Sequence, residues 1–236
     1  VLPDPPGGRP TWLLRFGLKL YDLLAGRGSL PGSQRLGRGA DEGEPLKPVF
    51  SLLGYWDAWV DDARLVVLNA VDAAERGAEI ATRTELIAAR RDGGLWRAEL
   101  SGGREVAART IVNAAGPWVA EVLHARIGGS GGSGVRLVKG SHILVPRLWD
   151  GDHAYILQQP DGRVVFALPY GEHSLIGTTD IPVARPEEAE VSAEEIAYLC
   201  AAASRYFRRE VAAADVVWSY SVYGEIRNQV PAAEKG

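Results

Sequence analysis

Glu79-Ile80-Ala81-Thr82-Arg83-Thr84-Glu85-Leu86-Ile87-Ala88, Arg91-Asp92-Gly93-Gly94 and Leu95-Trp96-Arg97-Ala98-Glu99-Leu100 together decide the fold class. Alternation and β-branching predict a strand over the first stretch. The Asp-Gly chemistry of the second makes a tight turn, and the third folds back as a hairpin. Just upstream, Trp59-Val60-Asp61-Asp62-Ala63-Arg64 opens a helix. Asp61 can accept from the free amides of the first turn, and Asp62 meets the positive end of the helix dipole. Ala63, Val66, Val67, Ala70, Val71 and Ala74 keep helical spacing, and Gly77 sits where such a helix stops. Downstream, a strand from Glu105 to Val112 runs into Asn113-Ala114-Ala115-Gly116-Pro117-Trp118-Val119, and Pro117 starts a short helix toward His124. This order, β-α-β-hairpin, is that of an α/β unit.

Beyond a Gly/Ser run at 128–134 strands dominate: Val135–Val138, His142–Val145, Ala154–Gln158, Arg163–Leu168 and Ser174–Gly177, with a turn at Pro160-Asp161-Gly162. Ser192 and Glu195 form a capping box, opening a helix through Ile196, Leu199, Cys200 and Tyr206 that ends near Arg208 and Arg209. A last strand is predicted over Asp215–Tyr220. At the other end, residues 1–10 are extended and Thr11 caps a helix carrying Trp12, Leu13, Leu14, Phe16, Leu18, Leu20, Tyr21, Leu23 and Leu24. Only Arg15, Lys19 and Asp22 break its apolar surface, so the reading is a core or domain-contact helix ahead of a membrane- or partner-facing one. Residues 25–48 read as a surface loop. The whole is mixed α/β (α+β) in two layers, an α/β unit with an antiparallel sheet block.

Of 236 residues, 46% are apolar and 24% charged, enough for a real core in one large or two small domains. A disordered tail, a collagenous repeat and a disulfide scaffold are excluded. The net charge of −4 gives no field that recruits nucleic acid. The single cysteine forms no intrachain disulfide, so the default is a reducing compartment. No apolar run approaches the roughly 18 residues of a spanning helix. There is no methionine, and Gly128-Gly129-Ser130-Gly131-Gly132-Ser133-Gly134 reads as an engineered linker. The expectation is therefore an internal fragment or an engineered truncation of a longer protein.

The four histidines lack metal-ligand spacing, so no metal site is expected. No strand–helix elbow carries Gly-x-Ser-x-Gly, and there is no Walker loop or His-Glu-x-x-His. Cys200 lies on the apolar side of its helix and reads as core rather than nucleophile. Asp57, Asp61 and Asp62 read as a cap and solvated neighbours rather than a catalytic pair. Two segments offer more. In Asn113-Ala114-Ala115-Gly116-Pro117-Trp118, small residues at a strand-to-helix turn let a ligand approach the backbone, although tight packing also wants them. In Arg136-Leu137-Val138-Lys139-Gly140-Ser141-His142, alternation sends Arg136 and Val138 to one face, Leu137 and Lys139 to the other. A lone loop histidine is the plain reading; convergence of Lys139 and His142 on an anion or hydroxyl is the functional one.

These segments, with Trp59–Leu65, Thr82-Arg83-Thr84, Ala154–Gln158 and Ile176-Gly177-Thr178-Thr179-Asp180, occur in an order that strongly resembles bacterial FAD-dependent (respiratory) glycerol-3-phosphate dehydrogenase. The resemblance covers about residues 1–221. It implies a glycine/D-amino-acid oxidase type of fold, FAD as cofactor, and oxidation of sn-glycerol 3-phosphate to dihydroxyacetone phosphate with electrons passing to quinone. By resemblance, residues 1–60 and 135–221 form the substrate-covering domain and 61–127 part of the FAD domain. Leu86, Asn113, Ala114, Ala115, Gly116 and Trp118 would line the cofactor site. His142 would sit by the reacting carbinol as proton acceptor, with Lys139 as a second catalytic group. Thr178, Thr179 and Asp180 would support the substrate pocket. The family is cytoplasmic and peripheral on the inner face of the cytoplasmic membrane, a contact the Trp12–Leu24 helix can assist.

The departures are large. No strand followed by Gly-x-Gly-x-x-Gly and a helix is present to hold a pyrophosphate. After Trp218-Ser219-Tyr220-Ser221 the family continues Gly-Val-Arg-Pro, whereas this chain reads Val222-Tyr223-Gly224-Glu225-Ile226-Arg227, and Arg227 does not inherit the phosphate-gripping role. Residues 222–236 read as a tail unlike the family. The expectation for this polypeptide is weak or absent FAD binding and no turnover. The rival expectation is a non-catalytic engineered binding or scaffold module with a protein partner.

Overall fold

The computed structural model describes residues 1–4, 10–24, 30–37, 39–48, 50–129, 135–184 and 190–227. Most of the Gly/Ser run and most of the tail thus lie outside the described residues. The chain divides into two compact units, Val1–Asp57 with Val138–Gly224, and Ala58–Leu137 with Glu225–Gly236.

The first unit is built on a six-stranded antiparallel sheet in the order β11 (Ile181–Pro182), β7 (Val135–Pro146), β10 (His173–Gly177), β9 (Val164–Tyr170), β8 (Tyr155–Gln158), with β12 (Trp218–Arg227) also paired to β7. Register runs from His173 opposite Pro146 to Gly177 opposite His142. A period of two is visible in burial: Tyr155 and Leu157 on β8, Val165 and Ala167 on β9, all point into the core. Helix α4 (Ala193–Tyr206) covers that face, contributing Leu199, Cys200, Ala202, Ala203 and Tyr206. Phe207 just beyond it stacks on Trp149 at 5.5 Å, and Tyr155 meets both rings edge-on. The Tyr155 hydroxyl donates to the Glu42 carbonyl at 2.8 Å, so this large buried side chain leaves no polar group unsatisfied. A second sheet, β1 (Leu2–Asp4), β3 (Ser51–Gly54) and β2 (Gln34–Leu36), adds Leu52 to the same core.

The other unit holds α2 (Asp62–Glu75) and the antiparallel meander β4 (Leu86–Asp92), β5 (Leu95–Leu100), β6 (Arg104–Ala108). Asp61 caps α2 as expected, accepting from the Arg64 amide at 3.0 Å, and Gly77 ends the helix with φ +91°. A short irregular helix follows from Gly116 through α3 (Val119–Glu121) to Arg126.

Several expectations are corrected. The strand placed over Glu79–Ala88 begins only at Leu86, because Arg83 adopts φ +55° in a turn and Glu79 is tied to Arg104 in a bidentate ion pair. The two strands expected at 135–145 are one strand, since Gly140 continues it rather than breaking it. Residues 25–48 contain β2 and a short 3₁₀ turn at Asp41–Gly43. The last strand starts at Trp218 rather than Asp215. Thr11 does not cap α1 (Thr11–Leu24): its hydroxyl donates to Asp4 at 2.5 Å, and the Pro10 carbonyl takes the Leu13 amide instead. Nor is α1 a core helix. None of its residues is buried; Trp12, Phe16, Leu23 and Leu24 are 63–78% exposed, while Leu14, Leu18 and Asp22 form the half-buried side.

Candidate active site

Strand β7 presents two unlike faces. Lys139 and Ser141 point one way, Gly140 and His142 the other, as the pleat requires. On the first face the carboxylate of Glu195, only 3% exposed, gathers four donors. It pairs with the Lys139 ammonium at 2.8 Å and accepts from the Ser141 hydroxyl at 2.6 Å, the Thr179 hydroxyl at 2.8 Å and the Ser192 amide at 3.0 Å. Ser141 in turn meets the Ser221 hydroxyl at 2.7 Å, and its amide donates to Thr179 at 2.9 Å. Lys139 also donates to the Glu190 carbonyl. Burial pushes the Glu195 pKa upward, but the hydrogen bonds from Lys139, Ser141, Ser192 and Thr179 outweigh it and hold the group at about 2. The capping box expected at Ser192 and Glu195 is present. What it concealed is that its glutamate also reaches the sheet.

On the opposite face, His142 is half-buried and stacked on Tyr220, with centroids 5.0 Å apart and planes 8° from parallel. The ring occupies the space a side chain at residue 177 would need: a Cβ on Gly177 would lie 2.1 Å from His142 Cδ2. Gly140 admits Thr178 in the same manner, since a Cβ there would lie 2.2 Å from Thr178 Oγ1. His142 Nδ1 is buried and has no hydrogen-bonding partner among the described residues. Burial lowers the imidazole pKa; the Gly140 backbone offsets part of this without reaching hydrogen-bond geometry. The ring is therefore neutral near pH 7 and able to accept a proton.

Lys139 and His142 do not converge. The Lys139 ammonium is paired with Glu195 on the face opposite His142, and the same carboxylate accepts from Thr179. Thr178 stays beside Gly140, on the His142 face, and Asp180 is exposed. The sequence quotes Gly177 and Tyr220 only as members of the segments Ile176–Asp180 and Trp218–Ser221 and gives neither a role at the site.

In the other unit, the Asn113–Trp118 turn is shaped by Asn113 itself. Its Oδ1 accepts from the Ala115 amide at 3.3 Å and its Nδ2 donates to the Val119 carbonyl at 2.8 Å. Gly116 has φ +53°, and a Cβ there would meet nothing within 4 Å. Ala114 and Gly116 are exposed, and Trp118 is 43% exposed. Leu86 lies at a register shift between β4 and β5. Among the described residues no cluster of three His, Cys, Asp or Glu side chains can hold a metal ion. None of the described helices is long and apolar enough to cross a membrane.

Residues 12–235 of this mixed α/β chain match the family model described as FAD dependent oxidoreductase. The chain belongs to that family, whose cofactor is FAD. It is 48% identical over 230 residues to D-erythritol 1-phosphate dehydrogenase of Brucella abortus, covering 94% of this chain and 46% of that protein. It is 46% identical over 228 residues to glycerol-3-phosphate dehydrogenase of Pseudomonas aeruginosa, covering 94% and 44%. The chain thus spans just under half the length of these curated relatives. Among solved structures, glycerol-3-phosphate dehydrogenase from Bacillus halodurans complexed with FAD superposes with a TM-score of 0.64 at 26% identity, over 78% of this chain and 40% of that one. Glycine oxidase from Geobacillus kaustophilus, at 23% identity and TM-score 0.71 over 96% and 58%, shares the fold.

The exposed Ala114 and Gly116 leave backbone open to a flat ring system, so the Asn113–Trp118 turn fits one side of a flavin. Among the described residues no strand, glycine-rich loop and helix combine to cradle a pyrophosphate.

Glu195 makes an acid-stability prediction. With its pKa at about 2 against an ordinary 4.5, its contribution is complete above pH 4.5 and is lost as pH falls toward 2. Glu195→Gln, which leaves Lys139 buried and unpaired, should cost about 3–5 kcal/mol near pH 7. The gap from wild type should close through that acid window, as measured by urea unfolding across pH.

Proposed function

We propose that this chain supplies the substrate-covering part, and a wall of the flavin site, of an FAD-dependent dehydrogenase of small polyol phosphates, with sn-glycerol 3-phosphate oxidised to dihydroxyacetone phosphate. Residues 1–60 and 135–221 take the substrate-covering role, and 61–127 the flavin-facing one. The observation that carries the reading is His142: a neutral, half-buried imidazole fixed against Gly177 and Tyr220, in a chain closely related to two polyol-phosphate dehydrogenases.

Oxidising a carbinol removes a hydride and a proton. FAD, when bound, supplies the hydride acceptor, and the Asn113–Trp118 turn would hold its ring system through backbone that Ala114 and Gly116 leave accessible. His142 takes the hydroxyl proton: burial keeps the imidazole unprotonated at neutral pH, and its fixed plane leaves no rotamer search before transfer. Thr178, held beside Gly140, shapes the same face. Lys139, Thr179 and Glu195 brace the strand from behind. Quinone would be the final electron acceptor.

Proton–nitrogen correlation spectra of the purified chain test the substrate class. The His142 resonance should move saturably with sn-glycerol 3-phosphate and with D-erythritol 1-phosphate, and not with glycine. A response to glycine alone, or none to either phosphate, contradicts the reading.

Peripheral attachment at the inner face of the cytoplasmic membrane is part of the same proposal. Its support is α1, whose outward side carries Trp12, Leu13, Phe16, Leu20, Leu23 and Leu24, all exposed, with Arg15 and Lys19 at the rim. Leu13→Glu/Leu20→Glu should abolish co-sedimentation with anionic vesicles; equal binding by the variant would dismiss α1 as the anchor.

A further inference from the structure

We infer that Tyr220 is a positioning residue for His142, acting with Gly177 as the two sides of a clamp that fixes the imidazole plane. This deepens the functional reading above and rests on it for its catalytic meaning. Strand β7 lies between β10 and β12, and each neighbour contributes one jaw. On β10, Gly177 stands directly opposite His142 in the register, and its missing side chain makes the room into which the ring leans. On β12, the Tyr220 ring lies parallel to the imidazole at 5.0 Å between centroids, an offset stack rather than an edge contact. The next residue, Ser221, points to the other face of the sheet and joins Ser141 in the Glu195 network at 2.7 Å. One strand therefore ties both faces: Ser221 sets the height of β12 against β7, and Tyr220 converts that height into an imidazole orientation.

The orientation has a chemical consequence. With the ring flat against Tyr220 and its edge over Gly177, Nδ1 is sealed in a spot with no hydrogen-bonding partner. A charged imidazolium would have to donate from Nδ1 into that spot, so burial keeps the ring neutral whichever nitrogen carries its one proton. No carboxylate is needed behind it to hold the ring; aromatic stacking performs that role.

The test compares Tyr220→Phe with Tyr220→Leu, reading the His142 titration and the response to sn-glycerol 3-phosphate by NMR. Tyr220→Phe keeps the stack and should keep the His142 midpoint below 6.5. Tyr220→Leu should bring the His142 midpoint back up toward the ordinary value near 6.5. It should also weaken the phosphate response about tenfold, equivalent to ~1.4 kcal/mol of lost stacking. Gly177→Ala should raise the midpoint in the same direction by expelling the ring. A wild-type midpoint retained in Tyr220→Leu overturns the clamp. If wild type ignores the polyol phosphate, the functional reading fails separately, while the midpoints still decide whether Tyr220 positions the ring.

Discussion

One buried carboxylate organises the larger unit. Glu195 is the third residue of its helix and satisfies the Ser192 amide as a cap, yet the same group draws Lys139, Ser141 and Thr179 from the sheet. Desolvating a carboxylate and an ammonium together costs several kcal/mol, and an isolated pair often fails to recover it. Here the charge accepts from four donors, so no acceptor capacity is left exposed to an apolar surrounding. Leu199, Cys200, Ala202, Ala203 and Tyr206 of α4 pack into one core with the sheet. The Glu195 network determines where along the strands the helix sits.

That placement is what makes the far face of β7 usable. With Lys139 and Ser141 anchored behind, Gly140 and His142 are forced forward at fixed height. Two glycines then decide what fills the space: Gly140 admits Thr178, and Gly177 admits the imidazole. Neither position tolerates a Cβ without displacing its neighbour. The cation that sequence proximity offered as a catalytic partner is paired with Glu195 behind the strand, and among the described residues no charged group is in hydrogen-bonding contact with the histidine.

Much of this was legible in the residues because helix ends are local chemistry. Asp61, Gly77 and Ser192 act within a turn of themselves, so α2 and α4 follow from their caps. The hairpin of β4 and β5 follows likewise from Asp92-Gly93-Gly94. The hidden parts are non-local. Strands β1 and β3 are only three and four residues long and exist because they pair with each other across the intervening chain. Glu195 reads as a cap from sequence; that it also meets Ser141 depends on two segments 54 positions apart. Gly140 suggests a strand break until Thr178 is seen in the space it leaves. For α1 an almost wholly apolar surface carries no information on which side faces the protein, and the outward side is the more apolar one.

A double-mutant cycle at pH 7 bears most directly on the central claim that the Glu195 network sets the geometry of β7. Unfolding free energies would be measured for wild type, Lys139→Met, Glu195→Gln and the double variant. The two losses should be strongly non-additive, with the double variant more stable than their sum implies by about 1–3 kcal/mol. Additivity within about 0.5 kcal/mol would mean that the two side chains act independently and would contradict the account.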